Sequence, residues 1–348
     1  MSAIEATAGA GPVPAPGARR GPRVLVVTAL WPSPRRPVLG TFIRTQVRAL
    51  EEAGADLELM VLDARWRKLL YPKGAVAVTR RVARGDIDLV HAHFGYVGIV
   101  SRVQRRVPLV VTFHGSDLLG DIVEEGRMAP FSRLQAASGR WLAARIDAAI
   151  VQSAEMAAAI PAGTSAYVIP HEVDLRTMRP TDHTVARAAL GLDPRRPIVL
   201  FAADPAIRTK GYPFAQEVVG RLRRALPDVE LRAVWTETQE RLALYMSAAD
   251  ALIFPSLQEG SPNIVKQAMA CNLPIVATDV GDVRERMEGV DGCLIRPRRA
   301  EEFAAALEAL IRSGRRTAGR ERVAELSSPV VAARIMDVHE RVAAAGRR

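Results

Sequence analysis

Short, uninterrupted apolar runs recur along the chain, each followed by a stretch with helical periodicity. In the first half the runs are Val24–Leu30, Leu57–Leu62, Leu89–His93, Leu109–Phe113 and Ala148–Val151. In the second half they are Ile198–Ala202, Leu231–Val234, Ala251–Phe254, Ile275–Ala277 and Cys293–Ile295. They are rich in Val, Ile and Leu and do not alternate with polar residues, the pattern of parallel strands covered on both faces. Helices are expected between them over Thr41–Ala53, Ala129–Arg145, Tyr212–Ala225, Gln239–Ala248, Asn263–Cys271, Val283–Met287 and Glu301–Arg312. Two such series predict an α/β chain of two doubly wound, Rossmann-like domains facing across a cleft. The length of 348 residues fits two domains at about 150 residues each.

The domains are expected at 23–180 and 181–328, joined through the proline-rich segment Pro170–Pro197. A last helix over 329–348 opens at Ser328-Pro329, a cap followed by proline in the first turn. Its Val331, Ile335, Val338 and Val342 share one face, which is expected to pack back on the N-terminal domain. Residues 1–22 are mostly Ala, Gly and Pro, hold too little large apolar surface to fold, and read as a disordered tail.

Charge and cysteine content exclude several classes. The chain has 48 basic and 38 acidic residues, a net charge of +10. Such a balance suits nucleic acid, but the basic residues are nearly all Arg, scattered among Ala-rich helices. No helix-turn-helix, zinc spacing or aromatic strand pair accompanies them, so no nucleic-acid partner is expected. Contact of a basic surface with anionic lipid stays open. Cys271 and Cys293 read as reduced packing residues rather than a disulfide framework. The apolar runs fall far short of the roughly 18–20 residues that span a bilayer. Arg19-Arg20 precedes an apolar run, yet that run is of strand length and leads into a turn, which argues against an export signal. The expected location is cytoplasmic, with peripheral contact at the inner membrane face open and the oligomeric state undetermined.

In open α/β sheets, ligands bind at the carboxyl ends of the strands, and helix N-termini there complement phosphate. Four stretches stand at such ends. Gln258-Glu259-Gly260-Ser261-Pro262-Asn263-Ile264-Val265-Lys266-Gln267 places a carboxylate, a small-residue turn and a helix N-terminus in succession. The loop Ala206–Tyr212 carries Arg208 and Lys210, with Gly211 opening a helix. Gly40 joins the first strand to its helix. Phe113-His114-Gly115-Ser116-Asp117 ends the fourth run and directs His114 toward the cleft. His91 and His93 share a strand face, but no third ligand is evident, no Asp-x-Asp pair is present, and no metal is expected.

The block from Tyr245 to Asp282 resembles the signature of family-four retaining glycosyltransferases of the GT-B fold, a Glu followed after seven residues by a second Glu. Glu259 matches the first position; Gln267 stands at the second, a departure. The resemblance runs from about residue 23 to 310. It implies that Glu259, with Gly260, Ser261, Pro262, Asn263 and Ile264, holds the donor sugar. It implies that Gln267 meets the ribose, that Lys210 with Arg208 neutralises the diphosphate, and that Gly40 lies beside donor phosphate. The family pairs this Lys with an Arg five residues earlier, where this chain has Pro205. His114 corresponds to a His that touches the transferred sugar, and Asp117 would orient it or bind acceptor. His171-Glu172-Val173-Asp174 aligns with an Asn-Gly-Val-Asp turn, making His171 a site candidate.

The resulting expectation is a retaining, metal-independent, hexosyltransferase-type glycosyltransferase. Its donor would be a nucleotide-diphosphate sugar such as a UDP- or GDP-sugar, with no other cofactor. Its acceptor would be a carbohydrate, a lipid-linked carrier or a small molecule. A sugar-nucleotide epimerase on the same fold stays open as an alternative, as does a non-catalytic relative that has lost donor affinity through Gln267 and Pro205.

Overall fold

The apolar runs form strands. The computed structural model describes residues 21–34, 36, 39–62, 67–124, 127–128 and 130–346. Positions 1–20 of the tail expected at 1–22 lie outside the described residues. The strands are β1 (Arg23–Thr28), β2 (Asp56–Val61), β3 (Leu89–His93), β4 (Leu109–Thr112), the short pair β5 (Ile122–Glu124) and β6 (Arg127–Met128), β7 (Ala148–Val151) and β8 (Ser165–Val168). They continue with β9 (Ile198–Phe201), β10 (Glu230–Ala233), β11 (Ala251–Phe254), β12 (Ile275–Ala277) and β13 (Cys293–Ile295).

One sheet has the order β2-β1-β3-β4-β7-β8 and the other β10-β9-β11-β12-β13, with every pairing parallel. In each sheet the chain steps outward after its first strand and then returns to that strand's other side. The switch points are therefore β1/β3 and β9/β11, where loops part and leave a crevice at the strand ends. Gly40 follows β1 and Phe94 follows β3; Lys210 follows β9 and Glu259 follows β11.

The described chain divides into two compact units, one within residues 21–120, 134–169 and 331–346, the other within 121–133 and 170–330. The division falls after Ile169 rather than near residue 180, and the β5–β6 hairpin goes with the second unit. In the first unit, helices Thr41–Glu52 and Ser328–Gly346 cover one sheet face through Ile43, Val47, Leu50, Val331, Ile335, Val338 and Val342. Val78, Val97, Val100 and Leu142 fill the other face. In the second unit Val218, Leu222, Phe303 and Leu307 cover one face, and Met246, Val265, Met269 and Met287 the other. Cys271 and Cys293 are free and buried. Among the described residues no helix is long and apolar enough to cross a membrane.

Helices Arg67–Val82, Gly95–Ser101 and His183–Leu190, and edge strand β8, go beyond what the periodicity predicts. The last of these helices lies inside the proline-rich segment, capped by the Asp182 carboxylate, which accepts from Thr184 and Val185 N–H, and ended by left-handed Gly191.

Candidate active site

In the second unit the two switch-point loops are bonded together. Leu257 N–H donates to the Thr209 carbonyl at 2.8 Å. Lys210 Nζ, from the β9 loop, lies 2.6 Å from Glu259 Oε1, from the β11 loop. Both side chains stay partly open to solvent. Arg208 is exposed at the start of the same turn, a 3₁₀ turn over Arg208–Lys210. The hairpin closes over this region: Ile122 N–H donates to Gln258 Oε1 at 2.7 Å, and Asp121 lies within electrostatic reach of Lys210.

The turn after Glu259 is held from beneath. Gly281, at φ 57°, has no room for a side chain, since a Cβ there would lie 2.5 Å from the Gly260 carbonyl oxygen. Ser261 Oγ donates to Asp282 Oδ2 at 2.8 Å. Lys266, on helix Asn263–Ala270, is fully buried and donates to Ser261 Oγ and to the His171 carbonyl, each at 3.1 Å. Burial lowers its pKa to about 8, against the pull of Asp282 and Glu172. Arg286 completes the cluster through Asp282, Glu285 and Glu325. His171 is buried and enters this network through its backbone carbonyl.

Pro262 precedes the helix and Asn263 and Ile264 form its first turn. Asn263 Oδ1 is buried without a hydrogen-bond partner, a polar atom that a ligand could satisfy. Gln267, one turn on, donates from Nε2 to Gln239 Oε1 at 2.8 Å. Arg298 lies over Phe214 and donates to the Pro255 carbonyl, bracing the same end of the sheet.

In the first unit, Gly40 is left-handed at φ 72°, and a Cβ there would meet the Leu30 carbonyl oxygen at 2.5 Å, so only glycine fits. It starts helix Thr41–Glu52; residues 35, 37 and 38 of its loop lie outside the described residues. His114 sits at the end of β4 among Phe42, Phe94 and His93, with ring centroids 5.2, 4.1 and 5.5 Å away. Phe94 has φ 74°, a strained conformation for a bulky residue. Asp117 is buried, and its carboxylate accepts from the His114, Gly115 and Gly95 N–H groups. It fixes the backbone that carries His114.

Four of the six histidines, His91, His93, His114 and His339, form one group. His91 shares hydrogen bonds with Thr112 at 2.7 Å and with His339 at 3.0 Å, while His93 meets His114 at 3.3 Å. Among the described residues no three His, Cys, Asp or Glu side chains are placed to hold a metal ion. Burial, then neighbouring imidazole charge, holds His91 and His93 well below 6.5, and burial lowers His339 to about 4.

The unfolded chain takes up these protons below about pH 6.5 and the folded chain does not, so stability falls as pH drops through that window. The cost approaches about 1.4 kcal/mol per histidine for each pH unit until the folded value is reached. Asp117, raised by burial to about 6, works the other way between about pH 4 and 6, because the folded state holds its proton more tightly. Three histidines outweigh one carboxyl. The melting temperature is expected to fall from pH 7 to 5, and His339→Phe to flatten that slope; thermal melts across this range check it.

Residues 196–313 match the family model described as glycosyl transferases group 1, and residues 17–177 the one described as glycosyltransferase family 4. The chain is 29% identical over 344 residues to a D-inositol 3-phosphate glycosyltransferase of Rhodococcus erythropolis (strain PR4 / NBRC 100887), covering 86% of this chain and 77% of that one. It is 24% identical over 349 residues to TuaC of Bacillus subtilis (strain 168), a glycosyltransferase named for teichuronic acid biosynthesis, covering 82% and 88%. Among solved structures, sucrose-phosphate synthase from Thermosynechococcus elongatus superposes with a TM-score of 0.76 at 20% identity, over 93% of this chain and 100% of that one. Anabaena Alr3699/HepE in complex with UDP and glucose superposes with a TM-score of 0.66 at 17% identity, over 91% and 99%.

Proposed function

The chain belongs to glycosyltransferase family 4 and has the GT-B fold, and from that premise we propose that it moves a hexosyl group from a nucleoside diphosphate sugar to an acceptor hydroxyl with retained anomeric configuration. The observation that carries this reading is the Lys210–Glu259 pair, 2.6 Å apart at the β9/β11 switch point. It sets a cation for a departing diphosphate beside a carboxylate for sugar hydroxyls and developing positive charge at the anomeric carbon. The second unit takes the donor, with Gly260, Ser261 and Asn263 offering backbone and side-chain groups at a helix N-terminus. Lys210 and Arg208, with that N-terminus, supply the charge that a divalent cation would otherwise bring. The first unit takes the acceptor, with Gly40 after β1 and His114 after β4 at the ligand edge of its own sheet. A UDP-sugar is the first donor to try, since the HepE structure holds UDP and glucose.

Gln267 stands where the family's ribose carboxylate is found. An amide offers one acceptor and two donors, whereas a carboxylate accepts from both ribose hydroxyls. Gln239 can turn its amide to donate to such a carboxylate. Gln267→Glu is therefore expected to leave nucleotide affinity unchanged or tighten it by up to about tenfold, roughly 1.4 kcal/mol. Calorimetric titration checks this, and clear weakening would assign Gln267 to a different partner group.

The proposed reaction is tested with a panel of nucleotide sugars against carbohydrate, polyol phosphate and lipid-linked acceptors. Release of nucleoside diphosphate only when acceptor is present supports transfer. An epimerised sugar formed without acceptor, or a chain that binds no nucleotide, contradicts it.

A further inference from the structure

The first unit has one face on which exposed apolar side chains and unopposed positive charge coincide. Helix Pro130–Ala143 packs inward through Ala136, Leu142 and Ala143. Outward it presents Leu134, 67% exposed, and, two turns on, Trp141, 51% exposed. Val103, 60% exposed, stands on the loop that follows helix Gly95–Ser101. Hydrogen bonds join that loop to its neighbours on both sides. Arg102 Nε donates to the Arg145 carbonyl, whose own guanidinium lies 4.4 Å over the Trp141 ring, and Arg106 donates to the carbonyl of Ala83.

The charge on this face has one sign. Segments 72–85, 95–113 and 134–146 together carry nine Lys and Arg residues and no Asp or Glu. Only Arg81 among the described side chains of these segments is turned aside, into ion pairs with Glu58 and Asp86. An apolar row that ends in a Trp and is flanked by arginines without carboxylates fits the boundary between water and an anionic bilayer. The rings and aliphatic groups enter the acyl edge, and the guanidinium groups stay at the headgroups. A protein partner would need its own dense acidic face to meet the same charge.

We propose that this face, centred on Leu134, Trp141 and Val103, docks the chain on anionic lipid. The proposal stands apart from the glycosyl-transfer reading, because the face bears none of the residues assigned to donor or acceptor. It is tested by co-sedimenting the full chain with phosphatidylcholine vesicles, with and without about 30% phosphatidylglycerol, at 0.15 M salt. The expected result is at least about tenfold tighter binding to the anionic vesicles. Leu134→Glu with Trp141→Glu is expected to reduce that binding at least tenfold while leaving the melting temperature unchanged. If that variant does not fold, Arg105→Glu with Arg106→Glu takes its place with the same expected loss. Equal binding to both vesicle types, no binding, or full binding by a folded variant overturns the proposal. So does self-association of the wild type, abolished by the same substitutions, with no vesicle binding.

Discussion

Glu259→Ala is expected to lower turnover on the order of a hundredfold, roughly 2.7 kcal/mol of transition-state stabilisation. In the proposed reaction the carboxylate faces charge developing at the sugar, and alanine removes it. The same substitution frees Lys210 Nζ from a partner 2.6 Å away. Because both side chains remain partly open to water, the folded chain tolerates the loss, and stability is expected to change by less than about 1 kcal/mol. Lys210→Ala is expected to match it in direction, by removing the cation opposite the leaving diphosphate. Steady-state rates set beside melting curves separate the two effects: a large loss of rate with little loss of stability marks a chemical role. Unchanged turnover in both variants would exclude the pair from the reaction.

Lys266→Met is expected to have the opposite profile, a loss of about 3 kcal/mol in stability of the second unit. The methionine fills similar volume without an ammonium. Ser261 Oγ and the His171 carbonyl then lose a donor, and Asp282 loses one of its two cations while staying buried. Burial already raises the Asp282 pKa against the pull of Lys266 and Arg286, and removing Lys266 raises it further. Lys266→Arg is not expected to restore the wild-type value, because a larger guanidinium must enter a site with no exposure. Chemical denaturation of the two variants measures this. A loss below about 1 kcal/mol in Lys266→Met would mean that the cluster relaxes or admits water.

The contrast between Glu259 and Lys266 shows what a sequence carries. Glu259, Lys210, Gly40 and His114 stand at the ends of apolar runs, and a parallel sheet places strand ends at its ligand edge. Their positions follow from chain order alone. Lys266 lies in a helix among Val265, Ala268, Met269 and Ala270, and nothing nearby in sequence shows where its charge goes; its partners are at His171, Ser261 and Asp282. His91 meets His339 across 248 positions, a contact made only when the last helix lies against the first sheet. The local pattern likewise hides β8, whose residues Ser165, Ala166 and Val168 are exposed at an edge and show no apolar run. Helix Arg67–Val82 contains Pro72, which interrupts its reading as a helix. Asp117 was legible as a residue close to His114, but its work on three backbone N–H groups needed the turn itself.

The most direct measurement is calorimetric titration of UDP, GDP and ADP, each with its parent nucleoside, into the wild-type chain and Lys210→Ala. At least one diphosphate is expected to bind the wild type with a Kd of about 1 mM or tighter. Lys210→Ala should weaken that diphosphate at least about tenfold while leaving its nucleoside unaffected, because the proposed contact of the lysine is with phosphate charge and not with the base. A wild-type chain that binds no nucleotide, or a Lys210→Ala chain that binds the diphosphate as tightly as the wild type, would contradict a donor site built on this pair.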